Sequence, residues 1–237
     1  MANTNNIQWK RISAEGAAIV VSILLAFSIE AWWDEYQEER QLHEILEALE
    51  EGFSGNLSLI NESIEAVSAN YELLNRFIQI DPEDIEKIPM GDRFRTLRAI
   101  WVPDTRNLNT GHLLNMLDAE RLKSLKNAEL QQGIAHWQSW LEQLNQRRAL
   151  IDEGEVTIFR ALGLRQNLWP YLLVQIEPST NQPILSTELL REIRDDQEVM
   201  ALVVEKAHSA KLQLFYFGHL SQQNKIILDL LGAVLTN

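Results

Sequence analysis

The chain has 237 residues, a formal net charge of -13 and no cysteine. This length allows one domain of roughly 200 residues beyond a short leading segment, or two small ones. The acidity excludes a nucleic-acid surface, which needs clustered Lys and Arg to neutralise phosphates, and the missing thiols exclude disulfides, thiolate metal sites and a cysteine nucleophile.

Residues 1–11 are polar as far as Gln8 and end in Lys10 and Arg11. They read as a short cytoplasmic tail, too small to hold a signalling domain. From Gly16 to Ile29 the sequence GAAIVVSILLAFSI carries no charge. That run spans roughly 21 Å as a helix, short of a hydrocarbon core of about 30 Å. Counted from Ile12 to Trp33 the helix is long enough to cross, with Glu15 and Glu30 at headgroup depth and Trp32 and Trp33 at the interface. A cleaved signal peptide and the core helix of a soluble protein are the rivals. Cleavage needs small residues at minus three and minus one, and a cut after Ala31 puts Ile29 at minus three. Residues 12–33 are therefore expected to be an uncleaved signal anchor, a single-pass transmembrane helix in the lipid bilayer.

Lys10 and Arg11 precede this span, and Arg40 is the first cation after it. The bias predicts an amino terminus in the cytoplasm and residues 34–237 across the membrane from it. At about 100° per residue, Glu15, Ala18, Ser22, Ala26 and Glu30 share one face with Ile19 and Trp33. Ala18, Ser22 and Ala26 repeat at the small-x-x-x-small spacing that lets helices approach closely in lipid. This is the expected packing face for other transmembrane helices, in a homo-oligomer or a larger membrane complex, because polar groups within a membrane usually face a partner. Lys10, Arg11, Trp32 and Trp33 are the expected interface anchors.

From Asp34 the span is expected to run into a long helix ending near Ile80. Its stripe falls at Leu42, Leu46, Leu49, Phe53, Leu57, Ile60, Ile64, Val67, Tyr71, Leu74 and Ile78, and Gly52 with Gly55 predicts a bend or short break. Asp81-Pro82 stops it. An irregular region follows to Asn109, with a short helix expected over Asp92–Ile100. There Arg93, Arg95, Arg98 and Arg106 form the one basic concentration, a candidate contact for an anion or an acidic partner, against the plainer reading that they pair with the chain's own carboxylates. Thr110 opens a helix bearing Leu113, Leu114 and Leu117, and the chain then reverses near Leu122 to Asn127 into a second helix reaching Leu162. After an irregular stretch across 164–185, Ser186 or Thr187 is expected to cap the last helix, which runs to Leu235. Amphipathic elements of this length bury their stripes only against one another. The expected fold is all-α, an N-terminal transmembrane helix continuing into an antiparallel helical bundle with long amphipathic helices.

Candidate chemistry is sparse. Glu205 and His208 match one half of a di-iron carboxylate arrangement, without a second Glu-x-x-His. His43 and Glu47 share a helix face, but two ligands do not make a metal site. Trp137 and Trp140 read as core rather than a ligand cage. No catalytic residue, metal ligand set or cofactor is expected, and no nucleic-acid partner.

Glu15 with its apolar run into Glu30-Ala31-Trp32-Trp33-Asp34-Glu35, and Thr110-Gly111-His112-Leu113 followed by the segment LKSLKNAEL from Leu122 to Leu130, resemble an uncharacterised family of small bacterial single-span membrane proteins. The resemblance implies a short amino-terminal span followed by a helical domain, with no assigned activity and no functional residue to carry over. The expected function is a non-catalytic scaffold or accessory subunit of a membrane protein assembly. The alternative is a periplasmic ligand-sensing bundle that signals through a partner protein.

Overall fold

The structure is a computed structural model. It describes the backbone of residues 6–101, 108, 110–117, 125, 127–165 and 182–236, and within these the side chains other than those of residues 6–12, 112, 116, 149, 150, 162–165 and 182–186. Every described element is helical, and the chain is all-α.

Helix α1, Asn6–Gln79, holds 74 residues without interruption and is therefore about 110 Å long. It crosses the boundary at Trp33/Asp34 as one piece. The break expected at Gly52 and Gly55 does not occur, because the helix runs through both. Each glycine costs about 1 kcal/mol relative to alanine. Leu49, Phe53 and Ile60 on the same stretch are at most 1% exposed, and burying each such side chain returns about 1.5–3 kcal/mol. Burial decides the outcome. The last turn closes through Ile80 N–H to Arg76 C=O at 3.0 Å, and Pro82 prevents continuation.

The region expected to be irregular contains a 3-10 turn, Pro82–Lys87, with Ile85 buried. Helix α2 spans Met90–Trp101 and opens two residues before the expected Asp92. Helix α3, Gly111–Met116, begins after Thr110 as expected, although the threonine hydroxyl makes no capping bond. The reversal near Leu122 lies outside the described residues, apart from Leu125 and Asn127. Asn127 Oδ1 accepts from Leu130 N–H at 3.0 Å and so caps helix α4, Ala128–Arg165. The irregular connection lies outside the described residues over 166–181.

The last helix departs from expectation. Helix α5 begins at Gln182 and ends at Asp195, and helix α6 runs Gln197–Leu235. Thr187 does not cap the helix; it is buried inside α5. Asp196 makes the break, with an extended backbone and a carboxylate that accepts from Glu198 N–H at 3.0 Å and Val199 N–H at 3.1 Å. An N-cap of this kind starts a new helix in a new direction.

Three long elements form the bundle. Phe53 of α1 meets Trp137 of α4 edge-on, ring centroids 5.3 Å apart, while Asn56 and Asn61 of α1 reach Asn224 and Ser221 of α6. Sequence numbers rise together in α1 and α4 and fall in α6, so α6 is antiparallel to both. The near core, toward the amino-terminal half of α1, gathers Leu49, Phe53, Ile60, Leu130, Ile134, Trp137, Leu220, Phe217 and Ile227. The far core gathers Leu74, Phe77, Ile85, Ile100, Leu189, Leu190, Ile193 and Val203 under α2 and α5. At Gly133 α4 lies against α6, where Gln223 Nε2 donates to Gly133 C=O at 3.2 Å.

The amino-terminal half of α1 joins neither core. No residue from Ser13 to Gln41 is buried, and Ile19, Leu24, Leu25, Phe27, Ile29, Trp32 and Trp33 each expose 52% or more of their surface. Apolar side chains of this size, exposed together over several turns, mark a surface for contact with a membrane or with another protein. Of the described residues, α1 alone provides a helix long and apolar enough to cross a membrane.

Candidate functional site

In the projecting half of α1, the two serines of the apolar run satisfy their hydroxyls inside the helix. Ser22 Oγ donates to Ala18 C=O and Ser28 Oγ to Leu24 C=O, both at 2.8 Å. Internal satisfaction of this kind is what a nonpolar solvent demands. Ala18, Ser22, Ala26 and Glu30 stand exposed on one face, together with Glu15. Lys10 and Arg11 belong to α1, but their side chains lie outside the described ones. Trp32 stacks on Tyr36 with centroids 6.1 Å apart, and Trp33 lies against the same ring at 6.1 Å. Tyr36 thus joins the two expected anchors in an aromatic collar, one turn beyond them. Its signal was legible as an aromatic four residues after Trp32, on the same face.

Between Trp33 and Leu42, the first partly buried residue, α1 continues for about 13 Å at 1.5 Å per residue. Beyond it a polar ladder ties α1 to α6. Asn56 Nδ2 donates to Asn224 Oδ1 at 3.1 Å, Asn224 Nδ2 donates to Phe53 C=O at 2.6 Å, and Ser221 Oγ donates to Asn61 Oδ1 at 3.2 Å. Asn224 is fully buried and Asn56 only 5% exposed. In an apolar interface such pairs fix register, since a slip of one turn would strand each amide without a partner.

A second buried constellation joins three helices where the two cores meet. Lys206 Nζ of α6 donates to Glu155 Oε2 of α4 at 2.6 Å and to Ile100 C=O of α2 at 3.1 Å. The two side chains are only 5% and 7% exposed. Along α6, Lys206 falls between Val203, which belongs to the far core, and Ala210, which belongs to the near core. A buried ion pair of this kind is more a device for specifying arrangement than a source of net stability.

The arginine concentration divides. Arg93 points inward: its guanidinium donates to Ile88 C=O at 2.8 Å, Glu86 C=O at 2.6 Å and Thr187 Oγ1 at 2.5 Å, fastening the 3-10 turn and α5 to α2. Arg95 pairs with Asp92, which also stands 3.6 Å from Arg76. Arg98 is exposed on α2, and Arg106 lies outside the described residues. Arg93 and Arg95 are thus used within the chain. Nearby, Lys87 pairs with Asp84 and Arg191 of α5 with Glu86.

His43 lies 3.3 Å from Glu47 on the exposed face of α1. Glu205, His208 and His136 are exposed, and among the described residues no three His, Asp or Glu side chains gather around one point. The side chain of His112 is outside the described ones. Trp137 is core, whereas Trp140 is half-buried and stacks flat on His219, centroids 4.2 Å apart.

The fold and these sites define a helical-bundle protein bearing, among the described residues, one helix of membrane-spanning length and composition. Comparison of the chain with protein-family models, with curated proteins and with solved structures gives no match in any of the three. Its own residues carry the functional reading.

Proposed function

We propose that the protein is a non-catalytic single-pass scaffold or accessory subunit of a membrane protein assembly in the bacterial inner membrane. In this reading it belongs with the small single-span proteins it resembles. Residues 1–11 are cytoplasmic, 12–33 cross the bilayer, and 34–237 form the periplasmic bundle. One observation carries the reading: a single unbroken helix is apolar and exposed in its first half and amphipathic and buried in its second. An element built this way is a strut that transmits position from bilayer to bundle. A flexible tether between two independent parts would instead be rich in Gly, Ser or Pro. Lys10 and Arg11 ahead of the apolar run support the orientation. The Glu15, Ala18, Ser22, Ala26 and Glu30 face supports a partner in the membrane, since close packing in lipid favours small residues and polar groups there seek another helix.

The test is the size of the assembly in mild detergent. Ser22→Leu with Glu30→Leu, which fills and neutralises this face, is expected to disperse it to the monomer by light scattering while circular dichroism keeps the helicity. An unchanged particle size overturns the partner face.

A further inference from the structure

A groove runs along the bundle half of α1, on a side left bare by small residues. Ala48, Gly52 and Gly55 form its floor, Glu51 and Leu59 its flanks, and Leu113 of α3 its opposite wall, enclosing about 450 Å³. A methyl group built on Gly55 would meet nothing within 4 Å. Leu59, within the lining, is 40% exposed and adds apolar surface to it. Asn56 lines the same groove, and its buried Oδ1 accepts no hydrogen bond among the described residues. The helix did not need Gly55 for its own packing, since that position faces open space and alanine would have made a better helix.

The charge around the groove names the occupant. From Gln41 to Asn75 the sequence holds seven glutamates and no lysine, arginine or aspartate. Glu51 lines the groove, and Glu44 and Glu47, exposed within about two turns of the floor, add to its field from beside the exposed side chains of Arg40 and His43. Such a field repels an anionic lipid surface, and it repels a second copy of this chain presenting the same face. It attracts a cation that also brings apolar side chains small or flexible enough to enter a shallow groove.

We infer that this groove docks a cationic amphipathic helix of a partner protein, its apolar side chains set against Gly52 and Gly55 and its Lys or Arg residues against Glu51 and Glu47. The mode is helix-in-groove recognition, with shape supplied by the two glycines and selectivity by the sign of the flanks. It rests on the scaffold reading for the compartment alone. It is independent of the transmembrane face, so failure of one leaves the other standing.

The chain has no cysteine, so a single Ser58→Cys beside the groove takes one environment-sensitive fluorophore in the full-length protein held in zwitterionic nanodiscs. The probe is a Leu/Lys amphipathic peptide of about five turns, with a Leu/Glu peptide of the same pattern and protein-free nanodiscs as controls. A saturable response to the Leu/Lys peptide alone is expected, with Gly55→Leu raising Kd about tenfold or more. Glu47→Gln with Glu51→Gln should raise it about fivefold at low salt, a difference that shrinks as ionic strength rises. Helicity by circular dichroism is read on every variant, and the double glutamine variant, which leaves the helix floor intact, carries the test if Gly55→Leu misfolds. Four outcomes overturn the proposal. These are an equal response from a fluorophore at Glu72→Cys, indifference to both variants, binding of the Leu/Glu peptide, or a concentration-dependent change without peptide, which would make the groove a contact between copies.

Discussion

The two halves of α1 share one helix and differ in what surrounds them. From Ser13 to Gln41 no side chain is buried, although apolar residues are dense; from Leu42 to Gln79 only a stripe is apolar, and it is buried. Helix geometry is the same throughout. What changes is the distribution of apolar groups around the axis: all round from Gly16 to Ile29, as suits a helix surrounded on every side by one apolar medium, nearly absent from Asp34 to Gln41, and one-sided beyond. The lesson is that amphipathicity reports the solvent on each face. Here the first pattern ends at Trp32, Trp33 and Tyr36, and the second begins at Leu42.

If the halves answer to different surroundings, damage to one should leave the other unaffected. The largest effect is expected from Phe53→Ala, which empties a fully buried ring site against Trp137 and should cost about 3–5 kcal/mol in denaturant unfolding of the bundle. Membrane attachment, followed by carbonate extraction, should be unchanged. A loss of attachment would mean the halves fold as one unit.

Nearly as large is Lys206→Met, which takes from the buried Glu155 carboxylate the ammonium that stands 2.6 Å from it and should cost about 3–5 kcal/mol. Lys206→Met with Glu155→Leu should recover most of that loss, because two apolar groups need no desolvation penalty repaid. Failure of the double variant to recover would show that the pair contributes net stability beyond its own solvation.

Leu24→Arg puts a charge near the middle of the apolar run and should cost about 3 kcal/mol of insertion, shifting protein from the membrane to the soluble or degraded fraction. The thermal midpoint of whatever bundle is recovered should stay within error of the parent. A fallen midpoint would break the comparison from the opposite side.

The smallest effect is expected from Arg40→Ala in the connecting stretch. Its pair with Glu44 is 70% and 62% exposed, so bundle stability should move by no more than about 0.5 kcal/mol. A larger change would place the first contact of the bundle earlier than Leu42.

The stripes were readable because period is a local property. Leu46, Leu49, Phe53, Ile60, Val67 and Leu74 are all buried, and Leu42, Leu57, Ile64, Tyr71 and Ile78 all partly buried. The boundaries were less so. Asp196 ended one helix and started another by bonding two amides just ahead of it, and a lone Asp amid helix formers reads equally well as an exposed charge. The polar interior was legible in part. Asn56 stands between Phe53 and Ile60, Asn224 between Leu220 and Ile227, and Glu155 between Ile151 and Ile158, each at steps of three and four. A polar residue on an apolar stripe is the mark of a buried partner, but the partner itself lies 168 residues away for Asn56, and no local pattern names it. Arg93 shows the same limit: beside Arg95 and Arg98 it looked like part of a basic surface, whereas Thr187 and two carbonyls hold it inward.

Sequence alone determined where apolar side chains outnumber polar ones on every face and where they keep to one, and with that the helices, the projecting segment and the absence of thiol chemistry. Those features follow from residues within a few turns of one another. Which stripe meets which, that α6 returns along α1, that Lys206 finds Glu155, and that Gly52 and Gly55 floor a groove were decided only when distant segments came together, because pairing energies depend on distances that chain order does not encode.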